Sequence, residues 1–219
     1  MIERLIHQIW LGPHHMPKRE VGFVRQMKAM HPGFDHLMWS DGNLPPMSEN
    51  VRECYDWRMA RKDYAFAADI LRCVVVHLHG GIYFDVDVEP RLGLAGMDLD
   101  TISGWFHHQF AGDYALSNDC FALAKGFPLG GLLLSKFRHP EYDFGPHWMG
   151  DCLRTYCGLS RDHDHATVRA RARSLGILYM PSAVCQPGGK ENEVWETRFY
   201  HHALYSWHPD NAKKIAEGF

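Results

Sequence analysis

The stretch KDYAFAADILRCVVVHLHGGIYFDVDV, residues 62–88, decides the fold. Ala65, Ala68, Leu71, Val75 and Leu78 recur at three- and four-residue spacings, which predicts a helix with one stripe packed on a sheet. Gly80 and Gly81 stop that helix. GIYFDVDV then reads as a short buried strand with Asp85 and Asp87 at its end. Alternation along a strand puts both carboxylates on one face, with Val86 opposite. Two like charges that close repel, and at least one pKa rises unless a cation sits between them. Mg²⁺ or Mn²⁺, hard ions that take oxygen ligands, would resolve the conflict. Taken alone, the pair also fits a strand-end turn with two solvated carboxylates.

On the N-terminal side, RLIHQIWLG reads as a strand ending at Gly12, and KREVGFVRQMKAMHPG as a helix ending near Pro32-Gly33. FDHLMWSDGN suggests a second strand closed by the turn residues Asp41, Gly42 and Asn43. Ser48 is placed to cap a further helix over SENVRECYDWRM. Strands alternating with helices predict an α/β class, a mixed and mainly parallel sheet flanked by helices. Such sheets bind ligands beyond the C-terminal ends of their strands, which is where Asp85 and Asp87 fall.

The second half is less regular. TISGWFHHQF and ALSNDCFALAKGF are strand-like or mixed, and GGLLLSKFRHPEYDFGPHWMGDCLRTYC suggests helix, loop, helix. LGILYMPSAVCQPGG reads as a strand and turn. Asp162 or Asp164 caps a helix running through Arg169, Arg171 and Arg173 to Gly176, which accounts for DHDH better than a metal site does. No repeat or linker divides the 219 residues, so one domain is expected over 1–219, with a first half at 1–90 and a second at 91–219.

A net charge of −3 gives no basic field for nucleic acid or an anionic membrane. The apolar run in MIERLIHQIWLG is too short for a signal peptide or a membrane span, so a cytoplasmic protein is expected, peripheral to a membrane only through a partner. Six cysteines without paired spacing suggest free thiols and no structural zinc.

AADILRCVVVHLHGGIYFDVDV resembles the sugar-binding DXD region of family 32 glycosyltransferases, through Asp69, Arg72, Gly80, Gly81, Tyr83, Asp85 and Asp87. IHQIWLG resembles the family's opening strand, and HHALYSW its closing segment, through His201, His202, Ser206 and Trp207. FGPHWMGDCL, with Phe144, is a weaker match to a further segment. The resemblance implies a GT-A fold, with 1–90 as the donor half and 91–219 as the acceptor-shaping half, and transfer of a hexose-type sugar from a nucleotide-sugar donor to a glycan or polysaccharide acceptor. A UDP-sugar is favoured over a GDP-sugar, usually with retention at the anomeric carbon.

The residues suit that chemistry, because a bound cation neutralises charge on a leaving diphosphate. Asp87 is the expected principal metal ligand, with Asp85 beside it and Arg72 completing the catalytic set. By resemblance His201 is the third metal ligand, and His202 is the fallback. Ile9, Trp10, Asn43, Asp69, Arg72, Tyr83, Asp85, Ser206 and Trp207 are the expected donor contacts, with Trp10 offering an aromatic face to the base. Asp69 and Arg72 could instead form only a surface ion pair. Asp151, Glu191 and Glu193 could serve the acceptor, and no residue stands out as a covalent nucleophile. A catalytically silent nucleotide-sugar or carbohydrate-binding protein on the same fold is the alternative. A metal phosphohydrolase would need more clustered His and Asp ligands than the sequence offers.

Overall fold

The structure, a computed structural model, describes residues 1–107, 116–141, 147–180 and 198–202. β1 (Leu5–Ile9), α1 (Lys18–Met30), β2 (Asp35–Trp39), α2 (Glu49–Ala60) and α3 (Tyr64–His79) lead into β3 (Gly81–Phe84) and β4 (Val88–Pro90). β5 (Gly104–His107), β6 (Cys120–Leu123), α4 (Pro128–Leu134), α5 (Trp148–Cys157), α6 (His165–Ser174), β7 (Ile177–Met180) and β8 (Phe199–His201) follow. The central sheet runs β2-β1-β3-β6-β5-β7, and β4 pairs with β8 in a separate two-stranded sheet. β1 is parallel to β2 and β3, and β5 is parallel to β7, while β6 is antiparallel to β3 and β5. The mainly parallel α/β architecture read from the sequence is therefore present, and one sheet takes strands from both halves of the chain.

Period-two alternation divides the core between the two faces of this sheet. Tyr83, Phe106, Phe121, Leu123 and Ile177 pack with α2 to α6 on one side. Ile6, Ile82, Phe84, Trp105 and Ala122 pack with Met27 of α1 on the other. α3 is buried more fully than one stripe allows. Ala65, Ala68 and Leu78 are only half-buried, whereas Ala67, Ile70, Leu71 and Cys73 to Val76 are buried. The reason is a third partner: α2 and α4 flank α3 while it lies on β1 and β3, so solvent reaches little of it. Cys54, Cys73, Cys152 and Cys157 are buried free thiols, and Cys120 is buried in β6. Asp164 caps α6 by accepting from the Thr167 amide at 2.7 Å.

The passage from α3 to β3 requires both glycines. Gly80 has φ +70° and Gly81 φ +95°, and a Cβ on Gly81 would stand 2.4 Å from the Leu5 carbonyl oxygen of β1. Gly81→Ala is expected to cost at least about 2 kcal/mol in urea denaturation, combining left-handed strain with this clash. A loss under about 0.5 kcal/mol would mean that β1 and β3 are not so closely paired.

Candidate functional site

β1, β2 and β3 end at one edge of the sheet, and β5 runs the same way because β6 is antiparallel to both β3 and β5. Topology thus brings together Trp10, the Asp41–Asn43 turn, Asp85, Asp87, His107 and, just before β6, Asp119.

Asp85 and Asp87 are not on a strand, contrary to the sequence reading. β3 ends at Phe84, and a tight turn follows, closed by the Val88 amide donating to the Asp85 carbonyl at 3.1 Å. This turn, not strand alternation, lets the two carboxylates converge. Val88 of β4 pairs with His201 of β8, and the His202 amide donates to the Asp87 carbonyl at 3.3 Å. Ligand atoms of Asp85, Asp87 and His201 consequently lie within 4.8 Å of one another. His201 Nε2 stands 3.4 Å from Asp87 Oδ1, and its Nδ1 2.9 Å from Asp119 Oδ2. Asp119 Oδ1 in turn accepts from His107 Nε2 at 2.8 Å and from the Ser117 hydroxyl. His202 faces elsewhere, onto Glu89 at 2.9 Å, Arg19 at 2.5 Å and the ring of Phe23.

Arg72 is buried rather than half of a surface pair. Its Nη2 lies 3.1 Å from Asp69 Oδ1 and 3.2 Å from Asp85 Oδ1. Nη1 donates to the Asn118 carbonyl at 2.5 Å and Nε to the Ala68 carbonyl at 3.3 Å, over the Tyr83 ring. The Tyr83 hydroxyl donates to Asp85 Oδ1 at 2.5 Å, and Asn118 Nδ2 to Asp69 Oδ1 at 2.8 Å. Arg72 and Tyr83 therefore grip the first aspartate of the pair.

The electrostatics follow from crowding. Burial, and then the neighbouring Asp87, push the Asp85 carboxyl up to about 6 against the opposing pull of Arg72. Burial would lower the His201 imidazole, but Asp119 and Asp87 overcome it and favour the protonated ring. Burial would likewise raise Asp119, yet His107 and His201 hold it well below the usual carboxylate range. Two carboxylates and an imidazole at this spacing fit a divalent cation, whose binding would displace the imidazole proton.

The Ile9 side chain belongs to the core. Asn43 is spent on its own turn: Oδ1 accepts from the Ser40 amide at 2.7 Å and Nδ2 donates to the Met38 carbonyl at 3.0 Å. Trp10 is half-buried, its indole N–H donating to the His14 carbonyl at 2.7 Å. Ser206, Trp207, Phe144, Glu191 and Glu193 lie outside the described residues. Asp151, on α5, pairs with Arg161 of the segment between α5 and α6.

His7, in the same HQIW stretch, has a structural task. One ring nitrogen donates to the Gly80 carbonyl at 2.8 Å and the other accepts from the Trp39 indole at 3.0 Å. Burial lowers its pKa to about 4, only partly offset by the Gly80 hydrogen bond, with His79 adding to the fall. The unfolded chain thus binds a proton near pH 6.5 that the folded chain refuses until about 4. Stability from this site is complete above the unfolded value and lost as pH falls through that window, at up to about 1.4 kcal/mol per pH unit. Urea titrations should show a shallower acid loss in His7→Gln than in the wild type, and equal slopes would contradict a neutral buried ring.

Sequence reasoning missed Asp119, Asn118 and His107, and also Glu20. Glu20 is buried in the first turn of α1, with Oε2 unpartnered among the described residues. Burial and then Asp87 raise its pKa, although its own backbone amide pulls the other way. A signal did exist for the first two. SND directly precedes the apolar run CFAL, so polar residues stand at a strand end there just as they do after GIYF.

Residues 17–104 match the family described as glycosyltransferase sugar-binding region containing DXD motif, a span that holds Arg72, Asp85 and Asp87 but not His201. The chain is 28% identical over 152 residues to inositol phosphoceramide mannosyltransferase 3 of Schizosaccharomyces pombe, covering 67% of this chain and 40% of that protein. It is 29% identical over 150 residues to uncharacterized glycosyltransferase L373 of Acanthamoeba polyphaga mimivirus, covering 66% and 54%. The chain thus spans about half the length of these curated relatives. PaToxG glycosyltransferase shares the fold, with a TM-score of 0.62 and 20% identity over 80% of this chain and 79% of that one. The matched DXD span and these relatives make the chain similar to glycosyltransferases carrying that region, and the likeness to PaToxG is one of fold.

Proposed function

We propose that the chain transfers a hexose-type sugar from a nucleoside-diphosphate donor to a glycan acceptor, using a divalent cation held by Asp85, Asp87 and His201. The observation that carries this reading is the convergence of those three side chains at the C-terminal edge of the sheet. A cation bound there, Mn²⁺ or Mg²⁺, supplies Lewis-acid neutralisation of charge on the departing diphosphate. The protein's part is orientation. Arg72 and Tyr83 fix Asp85, the β4–β8 pairing brings His201 to Asp87, and Trp10 offers a face to the base. Ser206 and Trp207 are assigned to the phosphates by family resemblance, which also favours UDP over GDP and retention over inversion.

A thermal-shift screen of UDP-, GDP- and dTDP-sugars with Mn²⁺ and with chelator tests the donor. The expected result is a metal-dependent rise in Tm with a UDP-hexose, followed by sugar release whose first-formed anomer, read by NMR, matches the donor. A larger rise with a GDP-sugar would reassign the base. Stabilisation by a donor without any turnover, with acceptors or water, would favour a silent binding protein. No response to any donor would refute the donor reading.

A further inference from the structure

We propose that Asp119 is the positioning residue for His201: its buried carboxylate holds the imidazole by Nδ1, so that Nε2 is presented beside Asp87. The proposal rests on the cation reading of Asp85, Asp87 and His201, and adds a residue outside the matched DXD span.

Four observations converge on Asp119. It is buried, so its orientation is set by protein groups rather than by water. Its Oδ1 is taken by two donors, His107 Nε2 at 2.8 Å and the Ser117 hydroxyl, which leaves Oδ2, a buried oxygen with no hydrogen bond among the described residues, in ion-pair contact with His201 Nδ1 at 2.9 Å. Its main-chain carbonyl accepts from the Asp85 amide at 2.7 Å, so one residue braces both the aspartate turn and the histidine. Finally, β8 is three residues long and among the described residues pairs only with β4, so strand pairing alone holds the His201 ring weakly.

The chemistry is directional. A carboxylate oxygen accepts and cannot donate, so a neutral His201 beside Asp119 carries its proton on Nδ1. The lone pair is then on Nε2, the nitrogen 3.4 Å from Asp87 Oδ1. A carboxylate on the far nitrogen also raises the basicity of the ligating one. Asn118, the preceding residue, performs a matching task on the other wall, where its carbonyl holds Arg72 and its amide holds Asp69.

The test is Mn²⁺ binding without any sugar donor, following the free aquo ion by electron paramagnetic resonance. Asp119→Asn should weaken Mn²⁺ binding by about tenfold to a hundredfold relative to the wild type. A merely structural Asp119 would lower Tm and leave Mn²⁺ affinity unchanged, which would overturn the proposal. Because that variant could fail to fold, the unaltered protein provides a second reading. Long-range proton–nitrogen NMR of the Cd²⁺-loaded wild type should show His201 protonated at Nδ1 and metallated at Nε2, with the resonances assigned by their loss in His201→Gln. The opposite tautomer, or an unmetallated His201, would overturn it. A wild type that binds no Mn²⁺ would instead bring down the cation reading itself, a distinct outcome.

Discussion

Asp87→Asn is expected to reduce metal-dependent donor turnover by about a hundredfold or more, equivalent to ~2.7 kcal/mol of transition-state stabilisation. The turn at residues 85–88 is closed by main-chain atoms, so the substitution should leave it standing. Relief of repulsion toward Asp85, whose carboxyl is raised partly by Asp87, also opposes any large loss of stability. Circular dichroism and Tm near those of the wild type, with turnover measured over a Mn²⁺ series, give the check. Wild-type turnover in the variant would remove Asp87 from the cation site.

Arg72→Met is expected to have the largest effect on stability. The guanidinium is buried and serves Asp69, Asp85 and two main-chain carbonyls at once. Burial opposes the charge, but Asp85, Tyr83 and Asp69 more than compensate, so Arg72 stays ionised. Methionine fills similar space yet leaves two carboxylates without their cation, a loss of about 3 to 5 kcal/mol in urea denaturation. Arg72→Lys should recover only part, because one ammonium cannot reproduce the planar fork. A loss below about 1 kcal/mol for Arg72→Met would mean that the network is not a buried one.

The contrast between these residues shows what the sequence could reveal. Arg72 was conspicuous as a charge inside the apolar run DILRCVVV, and its Asp69 partner lay one turn away. Its grip on Asp85 was not legible, because that contact depends on β3 returning beside α3. The pair Asp85 and Asp87 was legible as chemistry but not as geometry: FDVDV has a strand's alternation, yet the chain turns after Phe84. HQIWLG resembles the family's opening strand, and within it His7 ties Trp39 to the end of α3. Asn43 is a turn residue whose side chain satisfies its own loop, a local bond that competes with ligand contact.

The second half was harder for a physical reason. Antiparallel β6 inserts between β3 and β5, and no local pattern in CFAL encodes that long-range pairing. Asp119 depends on it entirely. Its partners His107 and His201 come from β5 and β8, so only the folded sheet edge assembles them. His201 and His202 were separable in principle by strand alternation, and the Val88 pairing turns His201 inward.

The central claim is that Asp85, Asp87 and His201 form a cation site at which a nucleoside diphosphate binds. Calorimetric titration of the wild type with UDP and GDP, with saturating Mn²⁺ and again with chelator, tests it most directly. The account predicts binding of at least one diphosphate with Mn²⁺, weakened tenfold or more when the metal is removed. Equal affinity for that diphosphate in Mn²⁺ and in chelator would contradict it.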